Sequence, residues 1–453
     1  SILPGTRVGD PTCQLTFQKQ TLTSITISQK NLSDERWAFT ANNEASILEK
    51  IERDSLHVQD MFRVGMGMQT GANDVFEVTP EIVRQFKIEP KVLRKVVSNK
   101  EIRRYSLEFN NRYWIYTEPF GEDAPGLFPN TIKYLAHHRS RLEDRIAIRR
   151  GDCTWYQFSY PRHIDKYDSP KILVPFIAAN NRFSLDPTGE IFSSTDSQVL
   201  FPLDSLSMSL NYVLALLNSS LLNWRYRRLG KLKDYRYEYS KEAISALPIR
   251  LVTFTTPAPD RARLATELAQ RYEQAFAEND MRDILERVAQ HLAASPGQND
   301  VVHDFLAQLA AQMLEANKQK QNRTRAFWDD LDGVTDAATF KALQKGKQEA
   351  SLLNASDVFQ SFLRAESHAT RTLDESLAWT EDAFKTFAKT LASKIKNLSE
   401  LVSVYRKHSA RYSEITTRLK FTDTLIDEIV YRLYGLSDEE IKIVKGEQKT
   451  QAP

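Results

Sequence analysis

The sequence predicts an α+β domain followed by an α-helical, bundle-like C-terminal region, and three observations carry that expectation. Glycines and prolines separate short β-branched or aromatic runs through the N-terminal part of the chain, the way turns separate short strands. A Thr- and Pro-rich segment, Thr253-Phe-Thr-Thr-Pro-Ala-Pro-Asp260, then marks a change of composition. Beyond it glycine becomes scarce and apolar residues recur at threes and fours, the period of a helix. With 453 residues the chain is too long for a single core, so two or three domains are expected.

Taken in order, Cys13 to Phe17 and Leu22 to Ser28 are β-branched and partly alternating, which predicts short strands. Ile47, Leu48 and Ile51 share one face of a helix expected from Glu44 to Arg53. Gly65, Gly67 and Gly71 interrupt a strand-like run from Val64, and Asp74 to Val78 is expected to resume it. Glycine at that density implies positive φ or a close backbone approach. Tyr113 to Tyr116 and Ile172 to Phe176 read as strands. Asn130 to Asp144 reads as one helix, with Ile132, Leu135 and Leu142 inward and a basic outer face at His137, His138, Arg139 and Arg141. From Leu210 to Leu222, six residues (Leu210, Val213, Leu214, Leu217, Leu221, Leu222) keep helical spacing, and the element is expected to end near Gly230. After the hinge, Leu264 to His291 and Val302 to Gln319 read as long helices. Phe384, Phe387, Leu391, Ile395, Leu398, Val402 and Tyr405 form a further helical stripe. Gly435 is expected to end one helix, with Ser437 and Glu440 opening the next through a capping box.

Composition narrows the class. Hydrophobic residues are 41% and charged residues 26%, ordinary for a soluble globular chain. The net charge of +2 is uninformative, but its distribution is not: Leu221 to Lys241 holds seven basic residues against two acidic ones. Cys13 and Cys153 lie far apart without a Cys-x-x-Cys pattern, which excludes a disulfide framework and argues against structural zinc. A reduced, cytoplasmic setting is expected. The longest apolar runs, Ile172 to Ala179 and Tyr212 to Leu217, are core-sized, so no membrane partner is expected. The opening Ser-Ile-Leu-Pro-Gly, without Met or a signal-peptide pattern, reads as a piece of a longer polypeptide or a processed start.

Cations beside rings are the functional signal. Arg103 and Arg104 precede Tyr105, and Arg112 precedes Trp114-Ile115-Tyr116. Arg139 and Arg162 lie near aromatic pairs. Trp224-Arg225-Tyr226-Arg227-Arg228 runs on through Lys231, Lys233, Tyr235, Arg236, Tyr237 and Tyr239, the densest such stretch in the chain. The guanidinium fork matches both phosphate and the major-groove edge of guanine. Arg103, Arg104, Arg112, Arg139, Arg162, Arg225, Arg227, Arg228 and Lys231 are therefore the candidate DNA contacts. The plainer alternative is a solvated cationic surface. Tyr105, Trp114, Tyr116, Trp155, Tyr156 and Trp224 are expected to pack beneath it.

Catalytic chemistry is not legible. The glycine-rich loop from Gly65 to Phe76 lacks Gly-Lys-Ser/Thr and the Gly-x-Gly-x-x-Gly register with a downstream acid, so it is not read as a nucleotide site. It is expected to support a domain junction, with DNA-backbone contact through its amides as a further role. Asn73-Asp-Val-Phe76 lacks the prolines of an Asn/Asp-Pro-Pro-aromatic loop that holds a flipped adenine. Asp329 and Asp330 lack the spaced lysine of a metal-dependent nuclease. His137, His138, His163, His291 and His303 have no Cys or Asp partner at ligand spacing. No catalytic, cofactor-binding or metal-binding residue is assigned.

The order of motifs does carry a resemblance. Gly65-x-Gly-x-Gln-Thr-Gly71-x-Asn73 with Val75-Phe76 comes first, then Arg104-Tyr105, Trp114-x-Tyr116, and Pro129 with Tyr134-Leu135 and His138-Arg139. Trp155-Tyr156, Pro161-Arg162, Pro170-Lys171-Ile172 and Leu217-Asn218-Ser219 to Leu247-Pro248-Ile249 follow. Together they resemble the specificity region of TaqI-type adenine DNA methyltransferases, as found also in fused restriction-modification and phage-defence methyltransferases. Ile429-Val430-Tyr431, Leu433-Tyr434-Gly435-Leu436 and Glu439-Glu440-Ile441 are similar to the C-terminal signature of those larger proteins. The resemblance implies a remnant or linker of an upstream catalytic domain at 1–55 and a target-recognition domain at 56–252. A helical region at 253–420 and a C-terminal helical signature and tail at 421–453 would follow. It also implies sequence-specific recognition of double-stranded DNA, positioning an adenine for methyl transfer from S-adenosylmethionine held in a catalytic domain outside this chain. The upstream methyltransferase domain and other defence-system subunits are the implied partners. The rival expectation is a protein-interaction or scaffold helical module of a defence complex, without direct DNA readout.

Overall fold

The structure is a computed structural model that describes residues 2–4, 12–15, 25–28, 42–334, 377, 379–385 and 398–447. Short strands and frequent turns make several small sheets rather than one large one. The pivotal sheet is antiparallel, in the order Ser184–Asp186, Lys171–Pro175, Ser197–Pro202, Phe62–Met66. All five residues of Lys171–Pro175 are buried, because the sheet is covered on both faces. Side chains alternate across a strand. Ile172 and Val174 accordingly enter one hydrophobic core, and Leu173 enters another. Leu200 faces the first core, while Val199 and Phe201 face the second. This sheet is the wall between two cores.

The second core is aromatic: Trp114, Tyr116, Phe158, Tyr167 and Phe192 fill it. Its sheet orders Ile191–Ser193, Leu93–Val97, Tyr113–Ile115 and Glu77–Val78, with the first pair parallel and the others antiparallel. Tyr105, Trp114, Tyr116 and Tyr156 are buried, so these rings do pack the platform. The first core extends further. It joins Ile47 and Ile51, the helices around Leu214 and Leu222, and residues on both sides of the hinge, including Leu268, Phe305, Leu309, Ile426 and Tyr434. Strand Ser55–His57 pairs antiparallel with Pro248–Arg250, bringing the two ends of the strand-rich part together.

Helical readings survive in kind but not always in length. The Leu210 to Leu222 run is two helices, Leu210–Asn218 and Ser220–Leu229. Ser219 turns extended at ψ 154, and its hydroxyl accepts from the Leu222 amide, a local capping option that competes with helix continuation. Asn130 to Asp144 divides into Pro129–Ala136 and Arg139–Glu143. The His137 and His138 amides there bond three residues back, to Tyr134 and Leu135, which tightens and ends the turn. Leu264 to His291 divides at left-handed Asn279 into Ala258–Glu278 and Arg282–Ala293. The Asp280 carboxylate accepts from the Arg282 amide at the second start. Asp74 to Phe76 is not strand: Asn73–Phe76 is one helical turn, and only Glu77–Val78 extends.

After the hinge, Val302 to Gln319 proves to be part of the 36-residue helix Asn299–Val334, which packs along another 36-residue helix, Leu398–Leu433. Each is about 54 Å long at 1.5 Å per residue. A third, separate core gathers Phe327, Leu331, Leu401, Tyr405 and Tyr412. Phe384 stacks on Tyr405 at 4.5 Å; Phe387, Leu391 and Ile395 of the same stripe lie outside the described residues. Gly435 adopts φ 69, and the Ser437–Glu440 capping box forms. Glu440 also accepts from Ser46 (2.8 Å) and Lys50 (2.7 Å), tying the C-terminal signature to helix Asn42–Glu52. The architecture is thus α+β, followed by a helical region. No helix among the described residues is long and apolar enough to cross a membrane.

Candidate nucleic-acid interface

A cleft of about 920 Å³ opens between the Asn99–Glu101 turn, the segment 177–182, the start of helix Ser220–Leu229, and the ribbon formed by Lys231–Lys233 and Arg236–Glu238. Among the described residues, five cations line it (Lys100, Arg103, Arg104, Arg182, Arg236), with five asparagines (Asn99, Asn180, Asn181, Asn218, Asn223) and no carboxylate.

Three of the asparagines hold the walls. Asn99 bridges the amide (2.9 Å) and carbonyl (3.2 Å) of Ile177. Asn218 does the same for Phe183, at 2.9 Å each way. Buried Asn181 donates to the Leu217 carbonyl (2.7 Å) and accepts from the Tyr239 hydroxyl (2.9 Å). With the backbone fixed in this way, Asn180 stands exposed at the mouth, while Asn223 accepts from the Asn181 amide at 2.9 Å and donates to Asn180 Oδ1 at 3.3 Å. Arg227 donates to the same oxygen at 2.6 Å.

Arg182 is a part-buried cation with poor partners. Its Nη2 makes only long contacts, 3.4 Å, to the carbonyls of Asn99 and Ile177, and buried Nε has no partner. Burial, with Arg103 facing it, pushes its pKa down to about 10. It remains charged at neutral pH, but in surroundings that disfavour the charge. Among the described residues, Lys100, Arg182 and Arg236 form no ion pair. A concave surface offering guanidinium, ammonium and amide groups, three of its five cations without a counter-carboxylate among the described residues, suits a polyanion that also displays base edges.

The sequence-selected cations divide sharply. Arg103 lines the cleft, with Glu108 3.2 Å from its Nε. Arg104 lies at the floor but is held from behind, bonded to Asp423 and to the Asn218 carbonyl at 2.6 Å. Arg227 sits at the rim, and Lys231 is exposed on the ribbon. The structure does not bring the other five to this place. Arg112 bonds Glu77 (2.9 Å), Ser98 (3.2 Å) and Glu101. Arg225 bonds Glu52 at 2.9 Å. Arg228 clasps Glu44 at 2.6 and 3.2 Å while stacked 3.5 Å over Trp224. Arg139 pairs with Glu143 over the Trp155 ring, and Arg162 donates to the Gly67 carbonyl at 3.0 Å. Lys100, Asn180, Arg182 and Asn223 were missed by sequence reasoning, as was Arg236 as a named contact. The polar cluster Asn180-Asn181-Arg182 directly after an apolar strand was the available signal.

The glycine loop is not a ligand cradle. A Cβ at Gly65 would strike the His163 ring, one at Gly67 the Ser193 and Ser194 carbonyls, and one at Gly71 the Ser159 hydroxyl. Buried Arg145 braces it by donating to Thr70 O (2.9 Å) and Gln157 O (2.7 Å). These three glycines thus serve close packing of the loop against neighbouring protein atoms. No cluster of three metal-ligating side chains occurs among the described residues.

Residues 94–249, which include the whole cleft lining, match the TaqI-like C-terminal specificity domain. The type II methyltransferase M.BanIII of Aneurinibacillus aneurinilyticus is 26% identical over 259 residues, covering 50% of this chain and 44% of that protein. This chain therefore spans less than half the length of that relative. Among solved structures, the type IIL restriction-modification enzyme MmeI in complex with DNA aligns at TM-score 0.35 and 16% identity, over 49% of this chain and 29% of that one. The type IIG restriction endonuclease BpuSI aligns at TM-score 0.34 and 13% identity, over 47% and 26%.

Proposed function

We propose that this chain reads sequence in double-stranded DNA, as the specificity part of a site-specific adenine methyltransferase from a restriction-modification or phage-defence system. The observation that carries this reading is the cleft within the matched span, lined by cations and amides without a carboxylate. Lys100, Arg182 and Arg236 would neutralise phosphates or fork onto guanine, and exposed Asn180 offers an amide of the kind that pairs with adenine's N6 and N7. Methyl transfer from S-adenosylmethionine would belong to a separate methyltransferase domain, and nothing in the present residues takes a step in it.

The test is salt-dependent binding to a randomised duplex pool. Wild-type protein should bind, with log affinity falling against log salt by about 0.9 per neutralised phosphate. Replacing Lys100, Arg182 and Arg236 by alanine should weaken binding and flatten that slope. Absence of duplex binding at low salt would refute the proposal and favour the scaffold alternative.

A further inference from the structure

The ribbon that forms one wall of the cleft has features that phosphate contact alone does not use. It leaves helix Ser220–Leu229 at Gly230, where an added Cβ would come within 2.7 Å of the Tyr226 ring. Its strands pair Lys231 with Glu238, Leu232 with Tyr237, and Lys233 with Arg236. The turn is closed by Asp234 at φ 57. Among the described strands the inner one pairs on with Ile177–Ala178, so Lys231–Lys233 is the outer edge of this sheet.

Residues 231–236 are all exposed, and two of them are large and apolar: Leu232 at 57% and Tyr235 at 53%. Tyr237, across from Leu232, packs against the first core. An exposed edge strand is normally guarded by charge. Here the lysines at 231 and 233 do guard it, but guarding does not call for a leucine between them. Lys233 is neutralised by Glu238 at 2.7 Å, whereas Lys231 and Arg236 have no ion pair among the described residues. The ribbon therefore displays Leu232 and Tyr235, the latter under the Arg236 guanidinium at 5.2 Å, flanked by cations that form no ion pair among the described residues.

Dimensions choose the occupant. Paired strands stand about 4.8 Å apart, and a two-stranded ribbon with its side chains fits a major groove about 12 Å wide but not a minor groove of about 6 Å. The apolar group presented in the major groove is the thymine C5-methyl. Resting on the DNA-recognition reading above, we infer that the 231–238 ribbon enters the major groove, with Leu232 and Tyr235 against thymine methyls and Lys231 and Arg236 on the flanking phosphates.

Two selections from randomised duplex pools test this. In the first, wild-type protein and the Leu232→Ala/Tyr235→Ala variant are each run on an ordinary pool. In the second, wild type is run on a pool built with deoxyuridine in place of thymidine. The ribbon reading expects the variant to lose defined thymine positions from the selected sequence while keeping the remainder. The uracil pool should lose the same positions, each methyl being worth roughly four-fold in affinity. The two side chains are exposed, so the variant should fold, and the uracil pool needs no variant. An unchanged selected sequence in the variant, or losses that the uracil pool does not share, overturns the ribbon proposal and leaves DNA recognition standing. Failure of wild type to enrich any duplex sinks the recognition reading and takes the ribbon with it.

Discussion

Two neighbouring segments with the same composition have opposite electrostatic fates. In helix Ser220–Leu229, Arg225 and Arg228 are neutralised by Glu52 and Glu44, carboxylates that lie 173 and 184 residues away in sequence. A few residues later, Lys231 and Arg236 on the ribbon face solvent without an ion pair among the described residues. The sequence reads both as one basic-aromatic run. What separates them is whether the fold delivers a carboxylate from elsewhere. Cation density marks where positive charge is concentrated, but only tertiary packing decides whether that charge is available to a ligand.

Lys171 is the extreme of the neutralised class and sets the largest expected effect. It is fully buried, 2.6 Å from Asp186, and also donates to the Tyr167 carbonyl at 2.8 Å. Lys171→Met leaves Asp186 as an uncompensated buried charge and should cost about 3–5 kcal/mol of stability. Denaturant titration reads that loss. A variant as stable as wild type would show that the pair contributes little beyond the surrounding packing.

Arg104 stands between the two classes, because it lines the cleft yet is bonded to Asp423. The adjacent Asp427 caps Ser220 through N (2.7 Å) and Oγ (2.5 Å). Burial pushes its pKa up to about 6, above the unfolded value of about 3.9. The native state thus binds the extra proton between roughly pH 4 and 6, so stability falls as pH rises through that window and levels off above it. Asp427→Asn should flatten this component. Denaturation midpoints at about pH 5 and about pH 7.5 measure it, and equal slopes in both proteins would remove Asp427 from the balance.

For the un-neutralised class the readout moves from stability to salt. Arg182→Ala should reduce duplex affinity and lower the salt slope by about 0.9 if it holds one phosphate. Folding should be nearly unaffected, since the residue makes only long hydrogen bonds. A stability loss with an unchanged slope would move Arg182 into the neutralised class.

The fold was legible where periodicity is local. The strands at 113–115 and 171–175, the helix at 42–52 and the capping box at Ser437 were all visible in the chain. Helix lengths were not, because Ser219, His137–His138 and Asn279 end helices by local capping or backbone geometry that an apolar stripe does not register. The cleft was half visible. Arg103 and Arg227 came from the pattern of cations and rings, whereas Arg182 and Asn223 come together across about forty residues through the Asn181 and Asn218 bonds. No single window of sequence holds that juxtaposition.

The smallest effect is the one that isolates the comparison. Arg228 shares the basic-aromatic run with the ribbon but is neutralised by Glu44 and lies over Trp224. The pair is part-exposed, with side-chain exposures of 25% and 27%, so solvent screening limits it. Together with the lost cation–π contact and stem packing, Arg228→Ala should cost about 1 kcal/mol of stability. Duplex affinity and salt slope should stay at wild-type values, in contrast to Arg236→Ala on the ribbon, which should lower the slope and spare stability. Thermal denaturation and salt-dependent anisotropy on both variants decide it. If Arg228→Ala flattens the slope as much as Arg236→Ala, then Glu44 does not hold the guanidinium away from DNA, and neutralisation is not what separates the two segments.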